Sequence, residues 1–261
     1  MFDFEGAVAL VTGGGQGLGQ VICERLAQNG AAVAVTDVDG SQAQSVADQI
    51  ARTVGPAQGF QCDVTDAARL EAVTEQVERE MGPIGVLVCN AGVSQSIHFL
   101  DLTEKDWDRV IEINLKGLFL TLKTVIPRMV PRRRGRVVYV GSISSKVAYP
   151  RFAHYNASKF GGLGLAQTVA LEVAQHNITV NTVCPGVMDT PMQRDLVRQM
   201  VEENDEFETA EQAEKWFDDM LPLGSYQPVE DVADMVVYLA SDKARHITAA
   251  SFHVDGGVAP R

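Results

Sequence analysis

Tyr155 and Lys159 are four residues apart, a spacing that puts both side chains on one face of a helix, one turn from each other. Ser142 stands thirteen residues before the tyrosine, directly after the Val-rich run 137–140. Such a run reads as a buried parallel strand, and α/β sheets hold their ligands beyond the carboxyl ends of such strands. A phenol, an ammonium and a hydroxyl gathered there make an acid/base unit. Free tyrosine has a pKa of about 10, so service as a base near neutral pH needs a downward shift of about two to three units, roughly 3–4 kcal/mol. One positive charge at ~4 Å supplies about that much at an effective dielectric of ~20, which predicts that Lys159 lowers the phenol.

The rest of the chain has to position these groups. Apolar runs at 7–11, 31–36, 57–62, 86–89, 135–140 and 178–183 alternate with amphipathic stretches at 20–29, 42–54, 67–81, 104–129 and 156–176. A further helix is expected at 229–240 and a last strand at 251–254. This alternation predicts an α/β fold: a three-layer, Rossmann-like, doubly wound sheet of about seven parallel strands with helices on both faces. No repeat or linker divides the 261 residues, so they are expected to form one domain. Residues 188–226 interrupt the alternation. Their apolar residues (Met192, Leu196, Met200, then Phe207, Trp216, Phe217 and Met220) recur at helical spacing with an acidic outer face, the pattern of a lid over the site.

A cofactor site is written into the first βαβ unit. After the first strand comes Thr12-Gly13-Gly14-Gly15-Gln16-Gly17-Leu18-Gly19, and then a helix. Glycines let the backbone approach a ligand, and a helix N-terminus offers unpaired N–H groups to a pyrophosphate. Leu18 and Gln20 break every register of the common G-x-G-x-x-G pattern, so the position of the loop carries more weight than its spacing. Asp37 ends the second strand, where a carboxylate meets the adenosine ribose hydroxyls; a turn or capping role beside Asp39-Gly40 is the alternative. With Gln16 and Val38 as its neighbours, no base stands by to accept a 2′-phosphate. Repulsion of about 4 kcal/mol per charge pair, before solvent screening, then favours NAD over NADP. Asp63-Val64 and Asn90-Ala91-Gly92 close the third and fourth strands on the ligand side of the sheet. Asp63 either accepts from the adenine amino group or caps the helix that begins near Ala67. Asn114, inside an expected helix over 104–129, either makes an interhelical hydrogen bond or holds a water for proton transfer.

Composition excludes several classes. A net charge of −12 argues against a nucleic-acid partner. Much of it lies between 201 and 219, where nine acidic residues (among them Glu203, Asp205 and Glu206) face Lys215 alone. The basic run Arg132-Arg133-Arg134 is expected as a solvated turn or as partner to an acidic surface. Cys23, Cys62, Cys89 and Cys184 are scattered, which predicts neither a disulfide framework nor a metal site. No stretch approaches the length of a membrane span, and the start lacks a basic region before an apolar core. Cytoplasmic location, with no membrane partner, is the expectation.

Taken together, these motifs resemble the short-chain dehydrogenase/reductase family. Thr12-Gly13-x-x-x-Gly17-x-Gly19, Asp63, Asn90-Ala91-Gly92, Asn114, Ser142, Tyr155-x-x-x-Lys159, Pro185-Gly186-x-x-x-Thr190 and Val254-Asp255-Gly256-Gly257 fall in the family's order over about residues 5–258. The resemblance implies an NAD-dependent oxidoreductase in which Tyr155 exchanges a proton with the substrate oxygen and Ser142 hydrogen-bonds that oxygen. It further implies that Lys159 binds the nicotinamide ribose and that Asn114 supports a water relay. Gly13, Gln16, Gly17, Leu18, Gly19, Asp37, Val38, Asp63, Val64 and Asn90 to Gly92 would hold the adenosine and pyrophosphate side. Pro185, Gly186, Val187 and Thr190 would hold the nicotinamide with Tyr155 and Lys159. Gly141 departs from the commoner Asn-x-Ser-Ser and is expected to widen the pocket floor.

The substrate is expected to meet Ser142, Ser144, Gln95, His98, Tyr149, His154, Met188 and Met192. That mixed set suits a small secondary alcohol or polyol, or its ketone. A 3-oxoacyl thioester (acyl-carrier-protein or CoA) reductase is the alternative, disfavoured by an acidic lid that would meet an acidic carrier; a non-catalytic NAD sensor is more remote. The apolar helices at 104–129 and 156–176 are candidate subunit contacts, and the resemblance implies a homotetramer.

Overall fold

The structure, a computed structural model, describes residues 2–202 and 207–259. Among these residues, strands β1 (Val8–Thr12), β2 (Ala32–Asp37), β3 (Ala57–Gln61), β4 (Ile84–Cys89), β5 (Gly135–Val140), β6 (Ile178–Pro185) and β7 (Ser251–Val254) form one sheet. Its order is β3-β2-β1-β4-β5-β6-β7, and every neighbouring pair is parallel. Parallel strands covered on both faces are buried along their length and mostly apolar, and β1, β5 and β6 are buried at every position. The order reverses between β1 and β4, which opens a crevice at their carboxyl ends.

Helices α1 (Gly17–Gln28), α2 (Gly40–Thr53) and α9 (Val229–Ala240) close one face of the sheet, burying Ile22, Leu26, Ile50 and Leu239. On the other, α3 (Ala67–Met81), α5 (Gly117–Met129) and α6 (Ala153–Val173) bury Val73, Val125, Met129 and Ala170. The expected helix over 104–129 is broken into α4 (Glu104–Ile111), a π-helical turn at Glu112–Lys116 and α5. Asn114 sits in that turn, so the poor helix former marks a local unwinding.

Beyond the alternation, α7 (Pro191–Glu202) and α8 (Ala210–Asp218) lie over the carboxyl edge. They pack Leu196, Met200 and Phe217 with Phe152 and Leu221 into a third core; each such side chain contributes about 1.5–3 kcal/mol when fully buried. Glu203, Asp205 and Glu206 of the acidic run lie outside the described residues. The arginine run serves surface ion pairs near the opposite, amino edge of the sheet: Arg132 meets Glu78 and Arg134 meets Asp242. Among the described residues all four cysteines are free thiols and buried, no metal-holding cluster occurs, and no helix is long and apolar enough to cross a membrane.

Candidate active site

A cleft of about 620 Å³ follows the carboxyl edge. Every residue expected to hold the cofactor lines it, from Gly13 in the first loop to Thr190 before α7.

At one end the chain itself is shaped around the space. Gly13 adopts φ +64, and a Cβ there would stand 2.9 Å from Ala91 Cα; a Cβ on Gly19 would come within 2.0 Å of Gly13 O. Only glycine fits at either place. The loop is held from below by Asn90, whose Nδ2 donates to the carbonyls of Thr12 (3.1 Å) and Gly13 (2.9 Å). Thr12 Oγ1 in return accepts from Asn90 N and Ala91 N. Helix α1 has no side-chain cap and no acidic residue in its first turn, so its leading N–H groups are left for an anion at the cleft. Asp37 accepts from Gly15 N at 3.0 Å and from Asp39 N at 3.1 Å. It does not cap α2: Asp39 does, accepting from Ser41 N and Gln42 N. Capping of α3 falls to Asp66 rather than Asp63, which closes a turn onto Thr65 and lines the cleft. This cradle fits a dinucleotide: donors for a pyrophosphate, then a carboxylate one strand further on.

Further along the cleft stand Ser142, Tyr155 and Lys159. Ser142 follows β5 and caps a short 3-10 turn, its Oγ accepting from Ser144 N at 3.1 Å. Tyr155 and Lys159 project from the first turns of α6. Ser142 hydrogen-bonds the Tyr155 phenol and draws its pKa down, but burial outweighs that and pushes it above its ordinary value. The expected lowering by Lys159 is therefore corrected. Its Nζ lies 5.6 Å from the Tyr155 ring centroid and donates to Val140 O at 3.1 Å. Burial also pulls the ammonium itself down, to about 8. Desolvation of both groups outweighs the Coulomb attraction reckoned from spacing alone.

Asn114 does not line the cleft; it braces it from behind. Its Oδ1 accepts from Val93 N at 2.8 Å, and its Nδ2 donates to Val93 O at 2.9 Å and Ser158 Oγ at 3.1 Å. The side-chain amide is thus occupied by backbone and hydroxyl, and the π turn gives it room to do so. Gly92 gives it room, since a Cβ there would press to 3.2 Å from Asn114 Oδ1. Gly141 does not widen the floor: a Cβ would meet Ser145 Oγ at 2.8 Å and Thr182 Cγ2 at 2.9 Å, so the glycine admits Ser145.

The substrate end differs from expectation. Ser144, Tyr149, Met188 and Met192 line the cleft. Gln95, His98 and His154 do not. Gln95 turns its Nε2 toward Asp106 at 3.4 Å, His98 is exposed, and His154 is fully buried with neither ring nitrogen partnered. Neighbours on a helix point about 100° apart, so His154 cannot share the face of Tyr155. In their place Phe152, Leu196, Trp216, Phe217 and Met220 give this end apolar walls. From α4 and the π turn, Arg109, Glu112 and Ile113 also reach the cleft. Sequence reasoning missed these three, although they lie within five residues of Asn114.

A glycine cradle, a carboxylate at the end of β2 and a Ser-Tyr-Lys group line one edge of the parallel sheet, an arrangement that suits a nicotinamide-dependent oxidoreductase. The family model described as short chain dehydrogenase matches residues 7–201, and the chain belongs to the short-chain dehydrogenase/reductase family. It is 34% identical to the 3-oxoacyl-(acyl-carrier-protein) reductase FabG of Escherichia coli (strain K12), over 98% of each chain. It is 38% identical to a (3R)-3-hydroxyacyl-CoA dehydrogenase of Mus musculus, over 97% of this chain and 96% of that protein. The crystal structure of levodione reductase superposes with a TM-score of 0.93 at 30% identity, covering 98% of this chain and 99% of that one.

Proposed function

We propose that the chain moves a hydride between NAD and the carbinol carbon of a small, apolar-bodied secondary alcohol, or the corresponding ketone. The observation that carries this reading is one continuous cleft with Asp37 at one end, Ser142, Tyr155 and Lys159 further along, and an apolar lid beyond them. Bound NAD+ supplies the hydride acceptor. Ser142 Oγ holds the substrate oxygen. In oxidation the deprotonated form of Tyr155, its phenolate, takes the hydroxyl proton, and in reduction the phenol returns it. Lys159 sets the electrostatics beside the phenol, and Asn114 fixes Val93 and the floor of the site. The cytoplasm is the compartment proposed for this turnover.

Preference for NAD rests on Asp37, because neither the glycine loop nor β2 carries a cation to offset a 2′-phosphate. The apolar lid narrows the expected substrate. A polyol would leave hydroxyls unpaired against Leu196, Trp216 and Met220, at about 1–3 kcal/mol each.

A second reading, reduction of 3-oxoacyl thioesters, is favoured by what the relatives in Escherichia coli and mouse are named for. Against it stands the exposed acidic face of α8, with Glu211, Glu214, Asp218 and Asp219 around Lys215, which would repel an acidic carrier. One panel separates the readings: secondary alcohols, polyols and 3-hydroxyacyl thioesters offered with NAD and with NADP, followed at the NADH absorbance band. Turnover of alcohols with NAD supports the proposal. Turnover of thioesters alone, or no turnover despite NAD binding, replaces it with the second reading or with a sensor.

A homotetramer is proposed as well, supported by Trp107, Phe119, Phe160 and Leu171 exposed along α4, α5 and α6. Sedimentation as a monomer at micromolar concentration would remove it.

A further inference from the structure

Lys159 is a buried ammonium, 5% exposed, and such a group is costly unless something compensates its charge. Its hydrogen bond to Val140 O is a neutral contact. Among the described residues no carboxylate pairs with it. What faces it instead is a pair of aromatic rings: Nζ lies 5.4 Å from the centroid of Tyr139 and 5.6 Å from that of Tyr155. Tyr155 has its part in the chemistry already. Tyr139 has none.

Tyr139 projects from β5, is 2% exposed, and its Oη has no partner. The ring's place is built into the fold. A Cβ at Gly162 of α6 would come 2.4 Å from Tyr139 Oη and 2.8 Å from Cζ, so only a glycine lets the ring lie under the helix that carries Lys159. Tyr139 also borders a separate small cavity of about 10 Å³, shared with Thr12 and Thr121, that none of Ser142, Tyr155 and Lys159 lines. The ring therefore meets the lysine, and the hydroxyl makes no hydrogen bond to it.

We propose that Tyr139 is the positioning residue for Lys159, its π face standing where a carboxylate would otherwise be needed to keep the ammonium charged and in place beside Tyr155. The inference rests on the reading above that Lys159 serves the reaction. The titratable groups facing the lysine are Tyr155 from its own helix, Tyr139 from β5 and Cys184 from β6. Burial pushes both phenols up, so each presents a neutral ring. The same burial holds Lys159 near 8, close enough to neutrality for loss of the ring to matter.

The test follows the ¹³Cε resonance of Lys159, assigned by its loss in Lys159→Met, through a pH titration of the whole protein. Tyr139→Phe keeps the ring and is expected to leave the midpoint within about 0.2 units, whereas Tyr139→Leu is expected to lower it by about 0.4 units or more. Because Tyr139→Leu disturbs a packed core, phenylalanines with one, two and three ring fluorines at 139 give the same answer at nearly constant volume. The midpoint should fall stepwise as the ring quadrupole weakens. A flat fluorine series overturns the proposal, as does a Tyr139→Phe shift equal to that of Tyr139→Leu. If the wild-type protein oxidises no secondary alcohol, the functional reading falls, while the titration still decides the role of Tyr139.

Discussion

The two ends of the cleft are built by different means. At the cofactor end, backbone is held by backbone and by short polar side chains: Asn90 on the carbonyls of Thr12 and Gly13, Asp37 on Gly15 N, Asn114 on both sides of Val93. At the lid end the walls are side chains of α7 and α8, packed in an apolar cluster with few hydrogen bonds of their own. The first kind of site fixes a ligand by loop geometry that hardly any other sequence can adopt. The second selects by volume and polarity, and many side chains would serve.

The largest effect should come where chemistry and geometry coincide. Tyr155→Phe keeps the ring that packs on Phe152 at 6.2 Å and removes only the proton carrier. Turnover is expected to fall by about 10²- to 10⁴-fold, with NAD binding, measured by calorimetry, little changed. A variant as fast as wild type would remove the acid/base assignment and leave the two ends without a reaction between them.

Next comes the carboxylate of the cofactor end. Asp37→Asn preserves an acceptor for Gly15 N while deleting the charge, so the loop should keep its shape. The ratio of kcat/KM for NADP over NAD is expected to rise by about 5- to 10³-fold, from a repulsion of ~1–4 kcal/mol. Equal ratios in the two proteins, or a wild type that prefers NADP, would break the electrostatic account of selectivity.

At the lid the expected effect is smaller and falls on the substrate. Trp216→Ala opens the apolar wall and should raise KM for an apolar secondary alcohol by about 10- to 100-fold, the usual worth of a few methylenes in a hydrophobic pocket. The KM for NAD should stay as it was. If NAD binding weakens equally, the lid belongs to the cofactor end and the division between the two fails.

This division also explains what could be read from the chain. The glycine loop, Asp37, Asn90 and the Tyr155–Lys159 pair sit at strand ends or on one helix turn, where spacing alone fixes the geometry. The parallel sheet followed from the alternation for the same reason. Expectations failed where a side chain's direction depends on how a helix is rotated or on which neighbour wins a hydrogen bond. Gln95 was drawn to Asp106, and the π turn at Asn114 broke a helix that periodicity shows as continuous. Tyr139 gave no signal at all, since a tyrosine in a buried strand looks like core until Lys159 is seen above it.

The smallest effect on turnover should come from His154, adjacent in sequence to Tyr155, the proposed acid/base, yet outside the cleft. His154→Leu is expected to leave kcat and KM within about two-fold, as a core position without substrate contact should. Stability is where it acts. Both ring nitrogens are unpartnered, so an apolar replacement of similar size is expected to be neutral or stabilising by ~1 kcal/mol at neutral pH. Burial, helped by Arg109 and opposed by Asp106, holds the imidazole below its ordinary pKa of 6.5. The unfolded chain therefore takes up a proton near pH 6.5 that the folded protein still refuses, and this residue costs stability increasingly as pH falls below that point. Urea unfolding at pH 7.5 and pH 5 should show the advantage of His154→Leu widening at the lower pH. An advantage that narrows instead would mean that the folded protein binds the proton more readily, with Asp106 outweighing burial. A large rise in KM would return His154 to the substrate end and blur the contrast between the two.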